Sequence, residues 1–147
     1  MSLPVKLLFG VHAHQPAGNF PAVIRDARDR CYGPFFEVLE RHPEFRFAVH
    51  VSGWLLGFLA CEYPEDVGRL RRMIDRGQAE IFGGGDTEPI LAALSERDRR
   101  GQIGAMNARL RKVLHARPTG AWLAERAWEA TVVPSLASSG IRYVAVD

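Results

Sequence analysis

Two histidines stand two residues apart in the stretch FGVHAHQPAGNF, His12 and His14. Alternate residues of a strand share a face, so both imidazoles point the same way. Such a pair can hold a metal, with a carboxylate such as Glu88 or Asp147 completing the set, or it can hydrogen-bond a polar ligand. A second set lies in GAWLAERAWEA, where Glu125 sits beside Arg126 and between Trp122 and Trp128. Carboxylates among aromatic rings suit a sugar. Ring faces cover the C–H surface of a pyranose, and a carboxylate attacks or stabilises the anomeric carbon. A neighbouring arginine favours the ionised carboxylate that a nucleophile needs. The plainer alternative is a surface Glu–Arg pair beside two core tryptophans. The third set is GGGDTEP, in which Gly83, Gly84 and Gly85 permit a sharp turn and a close backbone approach ahead of Asp86 and Glu88. It matches neither the P-loop nor the dinucleotide fingerprint, and its acids would repel phosphate.

The elements that must position these residues alternate in type. A strand over about Val5 to His12, apolar enough to be buried on both faces, precedes a helix from about Pro21 to Arg41. A second strand, Arg46 to Val51, leads into helical chain from Trp54 to Arg76, which Pro64 divides in two and Gly77 caps. The third strand, Ala79 to Phe82, ends in the glycine run. Ser95 is an N-cap with Glu96 and Asp98 in the first turn, and the helix runs to about His115 with Ile103, Met106, Leu110 and Leu114 on one face. A fourth strand covers Gly120 to Leu123, and a short helix over Thr131 to Ser139 is closed by Gly140. The last strand, Tyr143 to Val146, precedes Asp147. This is an α/β pattern of parallel β/α units. It places His12, His14 and Gln15, the glycine run with Glu88, Trp122 with Glu125, and Asp147 at strand C-termini, the edge where α/β sites are built.

The chain has 147 residues, a one-domain length, with 47% hydrophobic and 24% charged residues and a formal net charge of +2. That balance gives no reason to expect a nucleic-acid partner. Arg69, Arg71, Arg72 and Arg76, and then Arg97, Arg99 and Arg100, read as solvated helix faces. Cys31 and Cys61 lack metal or redox spacing and read as reduced, partly buried thiols. No run reaches the ~18 apolar residues of a membrane span, and MSLPVKLLFG is too short for a secretory signal, so a cytoplasmic location is expected.

Together, FGVHAHQPAGNF, GQAEIFGGGDTEPILAAL and GAWLAERAWEATVVPSLASSGIRYVAVD resemble the N-terminal part of the catalytic domain of glycoside hydrolase family 57, in its 4-α-glucanotransferase and α-amylase-like members. The resemblance implies that residues 1–147 are the first part of a (β/α)7 barrel, with about five of its strands present. It implies a retaining enzyme acting on α-1,4-glucans or maltooligosaccharides, with Glu125 as the nucleophile. His12, His14 and Glu88 would line the subsite where cleavage occurs, and Trp122 and Trp128 would shape it; Asp147 and Arg126 are further candidates from their positions in the sequence, not from the resemblance. It implies no metal or organic cofactor. The family's acid/base aspartate lies on a strand beyond Asp147, so this chain by itself is expected to be inactive. Glu129-Ala130 stands where members commonly have a proline. An open barrel also leaves its first and last strands unpaired and uncovers inner residues such as Phe9, Val49, Phe82 and Val146, so self-association is expected. The alternative is a stand-alone protein that binds a glucan, or a metal through His12 and His14, without glycosyl transfer.

Overall fold

Apolar runs separated by helices pair here into a wholly parallel set of strands. A computed structural model describes residues 5–146. Its strands are β1 (Gly10–Ala13), β2 (Phe47–Val51), β3 (Ala79–Ile81), β4 (Gly120–Trp122) and β5 (Tyr143–Ala145). β2 lies between β1 and β3, with His12 opposite His50 and Val49 opposite Ile81. β4 pairs with β5, Ala121 opposite Val144. A parallel bridge between Gly83 and Ala121 joins the two groups. It is closed by Gly83 N–H to Gly120 O at 2.9 Å and Trp122 N–H to Gly83 O at 2.9 Å. The spatial order is therefore the chain order. A doubly wound sheet reverses direction at a switch point, whereas here each crossover steps the same way, as in a β/α barrel.

The helices are α1 (Pro21–Ala27), α2 (Gly33–Arg41), α3 (Gly53–Glu62), α4 (Pro64–Asp75), α5 (Glu96–Leu114) and α6 (Val133–Ser138). The single helix expected before β2 is instead α1 and α2 joined by a π turn over Arg28–Tyr32. Pro34 has no N–H to continue the ladder, and the wider turn carries the chain past it. Pro64 starts α4, as its ring favours. Gly77, at φ +70°, closes α4, with its own N–H on Ile74 O and that of Gln78 on Met73 O, both at 2.9 Å. Ser95 Oγ caps α5 by accepting the Asp98 N–H at 3.2 Å.

α5 ties the fold together. Its Met106, Leu110 and Leu114 pack with Phe36, Val49, Leu56 and Met73 under β1–β3. Its Ile103 packs with Ala121, Leu123, Val132 and Leu136 beside β4 and β5. Full burial of one such side chain stabilises by about 1.5–3 kcal/mol.

Several expectations are corrected. β1 is shorter than its apolar run, and Val5 and Leu8 are 95% and 96% exposed. Beside this segment lies a hollow of about 890 Å³, lined by Leu7, Leu8, Phe9, Phe47, Phe82 and Val144, that none of the described residues fills. Of the inner residues expected to lose cover, Phe9 and Val146 are exposed, but Val49 and Phe82 are buried, Val49 because it faces the helices. The arginines are not simply solvated. Arg99 is buried and gives Nε to Leu91 O at 2.9 Å, Nη2 to Leu94 O at 3.0 Å and Nη1 to Thr131 O. It ties the chain after Glu88 to the chain after Glu125. Arg71 donates to Val113 O at 2.6 Å, and Arg69 and Arg72 share Glu40, each Nε at 2.8 Å. Cys31 and Cys61 are both exposed. Among the described residues no helix is long and apolar enough to cross a membrane.

Candidate active site

Parallel strands bring their C-termini to one edge, and three of them build one pocket there. It has a volume of about 410 Å³ and is lined by His12 and His14 from the end of β1, Glu88 and Ile90 after β3, Trp122 at the end of β4, and Ala124, Glu125 and Arg126 beyond it. Glu88 lies at its floor with its side chain only 8% exposed. Its Oε2 is 3.3 Å from His12 Nε2 and 3.1 Å from His14 Nδ1, and its Oε1 is 3.2 Å from His50 Nδ1. The His14 and His50 contacts are close but off the hydrogen-bond axis, leaving His14 Nδ1 and Glu88 Oε1 without aligned partners. His12 Nδ1 and His50 Nδ1 are 3.0 Å apart. The rings are layered: Trp122 stacks on His12 at 4.7 Å and 8°, and His14 lies parallel to His12 at 5.6 Å and 11°.

The electrostatics follow from this packing. Burial opposes the charge on Glu88, but the His12 and His50 imidazoles beside it outweigh that cost and hold the carboxyl at about 2. Burial pushes the His50 imidazole down, with Glu88 opposing. At neutral pH the floor of the pocket is thus an ionised carboxylate against a neutral buried imidazole.

The backbone is bent to deliver these groups. Glu88, Glu125 and Arg126 have φ of 56°, 55° and 50°, and among the described residues only His115, which ends α5, is another non-glycine with positive φ. Each such residue costs about 1–3 kcal/mol, and such strain gathers where function needs it. Gly84 is required by space: a Cβ there would lie 2.7 Å from Trp122 O and 3.3 Å from His50 Nε2.

His12, His14, Glu88, Trp122, Glu125 and Arg126 therefore meet in one pocket, while other expected participants lie elsewhere. Trp128 is 47% exposed and outside the lining, so neither it nor half-buried Trp122 is a core tryptophan. Gln15 is a loop tie: its Nε2 donates to Tyr32 Oη at 3.0 Å, and Tyr32 Oη donates to His14 O at 2.9 Å. Asp86 turns away and takes a bidentate pair from Arg109 at 2.7 and 2.8 Å. Asp147 lies outside the described residues. The residue that sequence reasoning missed is His50. Its signal was a lone histidine in the otherwise apolar run FAVHV, opposite His12 in the sheet. One donor atom each from His12, His14 and Glu88 fall within 4.8 Å of one another, a set that could also hold a cation.

The profile of Glycosyl hydrolase family 57 matches residues 8–147. The chain belongs to this family. It is 42% identical over 144 residues to an alpha-amylase of Pyrococcus furiosus, covering 97% of this chain and 22% of that protein. It is 44% identical over 143 residues to the 4-alpha-glucanotransferase of Thermococcus litoralis, again 97% and 22%. The crystal structure of that glucanotransferase superposes with a TM-score of 0.90 at 45% identity, over 95% of this chain and 22% of that one. A family 57 branching enzyme from Thermococcus kodakaraensis shares the fold, with a TM-score of 0.78 at 19% identity over 93% and 38%. The five parallel strands are accordingly the first part of the family 57 (β/α)7 barrel. The chain spans about a fifth of the length of the curated relatives it matches.

The state of Glu88 is measurable through stability. Its carboxyl titrates at about 2 in the folded chain, against an ordinary value of 4.5. A lowered folded value gives stability that is full above about pH 4.5 and lost as pH falls toward 2, by about 3 kcal/mol over the range. Urea unfolding at several pH values should show this loss in the unmodified chain and its absence in Glu88→Gln. Parallel curves for the two would refute it.

Proposed function

We propose that this chain is the front part of the catalytic barrel of a retaining enzyme acting on α-1,4-glucans or maltooligosaccharides, with Glu125 as nucleophile. One observation carries the reading: a single pocket collects an exposed carboxylate, a buried ionised carboxylate, two histidines and a stacking tryptophan from three separate motifs. Trp122 and His14 line the pocket with flat rings on which the sugar can lie. The ionised Glu88 accepts hydrogen bonds from its hydroxyls. The Glu125 carboxylate oxygen attacks the anomeric carbon as the glycosidic C–O bond breaks, and the departing oxygen takes a proton from a second carboxyl about 5–5.5 Å away. Water or a sugar hydroxyl then releases the glycosyl group, giving hydrolysis or transfer. Glu88, held ionised at neutral pH, has no proton to give, and the resemblance assigns the acid to the family's aspartate on a strand beyond Asp147. The 147-residue chain alone is then inactive.

In the full-length protein, Glu125→Gln should lower turnover of maltooligosaccharides by about a thousandfold or more while substrate still binds. Full turnover in that variant would remove Glu125 from its role.

A second reading, a cation held by His12, His14 and Glu88, rests on their shared reach. We favour the first, because the same pocket also presents Trp122 and Glu125, which a sugar site uses and a cation site does not need. Elemental analysis of the purified chain should find no stoichiometric metal; one zinc or iron per chain would favour the second reading.

The open hollow lined by Leu7, Phe9, Phe47 and Phe82 should make the isolated chain self-associate. Sedimentation velocity should find dimers or larger species, and a monodisperse monomer would contradict this.

A further inference from the structure

His50 belongs to none of the three motifs, yet it sits at the centre of the polar network. It is 1% exposed, its Nδ1 lies 3.0 Å from His12 Nδ1 and 3.2 Å from Glu88 Oε1, and its Nε2 is buried without a hydrogen-bond partner among the described residues. These contacts favour one arrangement of protons. An ionised carboxylate only accepts, so the His12 nitrogen facing Glu88, Nε2, carries a hydrogen. The Nδ1 of a neutral His12 is then a bare acceptor, and the hydrogen between the two Nδ1 atoms belongs to His50. The same N–H faces Glu88 Oε1, and His50 Nε2 is left bare, as suits a nitrogen with no acceptor in reach. The opposite arrangement turns a bare His50 Nδ1 toward the carboxylate and buries an Nε2–H against the Gly84 backbone with nothing to accept it.

We propose that His50 is a positioning residue of this site: its Nδ1–H, donated to the bare Nδ1 of His12, holds that ring so that His12 Nε2–H aims the Glu88 carboxylate into the pocket. Both His12 nitrogens are then committed and one ring face is covered by Trp122, so His12 braces the site while His14 and Glu88 meet the ligand's hydroxyls. The identity of that ligand as an α-glucan rests on the function proposed above. The tautomers do not.

The test has two arms. Magic-angle-spinning NMR of the chain labelled with ¹⁵N-histidine, which tolerates self-association, reads each ring nitrogen as protonated or bare. His50 signals are identified by their loss in His50→Asn. The expected pattern is a protonated Nδ1 and bare Nε2 on His50, with the reverse on His12. A protonated Nε2 on His50 overturns the proposal. The second arm measures maltotriose binding by calorimetry. His50→Leu removes the donor that holds the His12 ring and should weaken binding about tenfold or more. In His50→Asn the side-chain nitrogen takes the place of Nδ1 and should recover most of the loss, whereas His50→Gln, with its donor displaced, should not. A Leu variant that binds like the unmodified chain overturns the proposal, as does equal binding by the Asn and Gln variants if Leu fails to fold. An unmodified chain that binds no maltotriose sinks the functional reading alone, because the NMR arm still decides the role of His50.

Discussion

An ionised carboxylate in a protein interior costs several kcal/mol unless nearby charge and hydrogen bonds compensate it, and Glu88 is such a group. Its compensation comes from two imidazoles, His12 on β1 and His50 on β2, and neither is adjacent to it in sequence. The arrangement works only if β1 and β2 are in the register that sets His12 opposite His50. A slip of one residue would turn each histidine to the other face of the sheet and leave the carboxylate uncompensated. The polar floor of the pocket and the pairing of the first two strands are therefore one constraint.

The loops above that floor are held by contacts that a motif search does not see. Arg99 binds carbonyls on either side of the pocket, at Leu91, Leu94 and Thr131, and Arg109 takes the Asp86 carboxylate that precedes Glu88. These anchors oppose the strain at Glu88, Glu125 and Arg126, whose left-handed backbones would otherwise relax. The two helix-borne arginines explain why a long, strongly polar α5 is still central to the fold. One face fills both apolar cores, and its charged residues brace the loops that carry the site.

The concave side is the converse case. Leu7, Leu8 and Phe9 are apolar by sequence and exposed in the fold, because a barrel strand is buried only when opposite strands close over it. The residues that remain well covered, such as Val49 and Ile81, face the helices that this chain does supply.

The sequence by itself determined the element order, the breaks at Pro64 and Gly77, the Ser95 cap and the buried face of α5, because each follows from local sterics or from a short period. It also determined that His12, His14, Glu88 and Glu125 reach one edge, since parallel strands leave no other place for their C-termini. Tertiary structure decided the rest. That Asp86 serves Arg109 and Gln15 serves Tyr32, rather than the pocket, depends on partners more than fifteen residues away. That Trp128 lies outside the pocket lining was likewise decided by the folded chain. That His50 belongs to the site depends on the pairing of β2 with β1, because a histidine in an apolar strand shows its chemistry only once the neighbouring strand supplies another histidine and a carboxylate to receive its hydrogen.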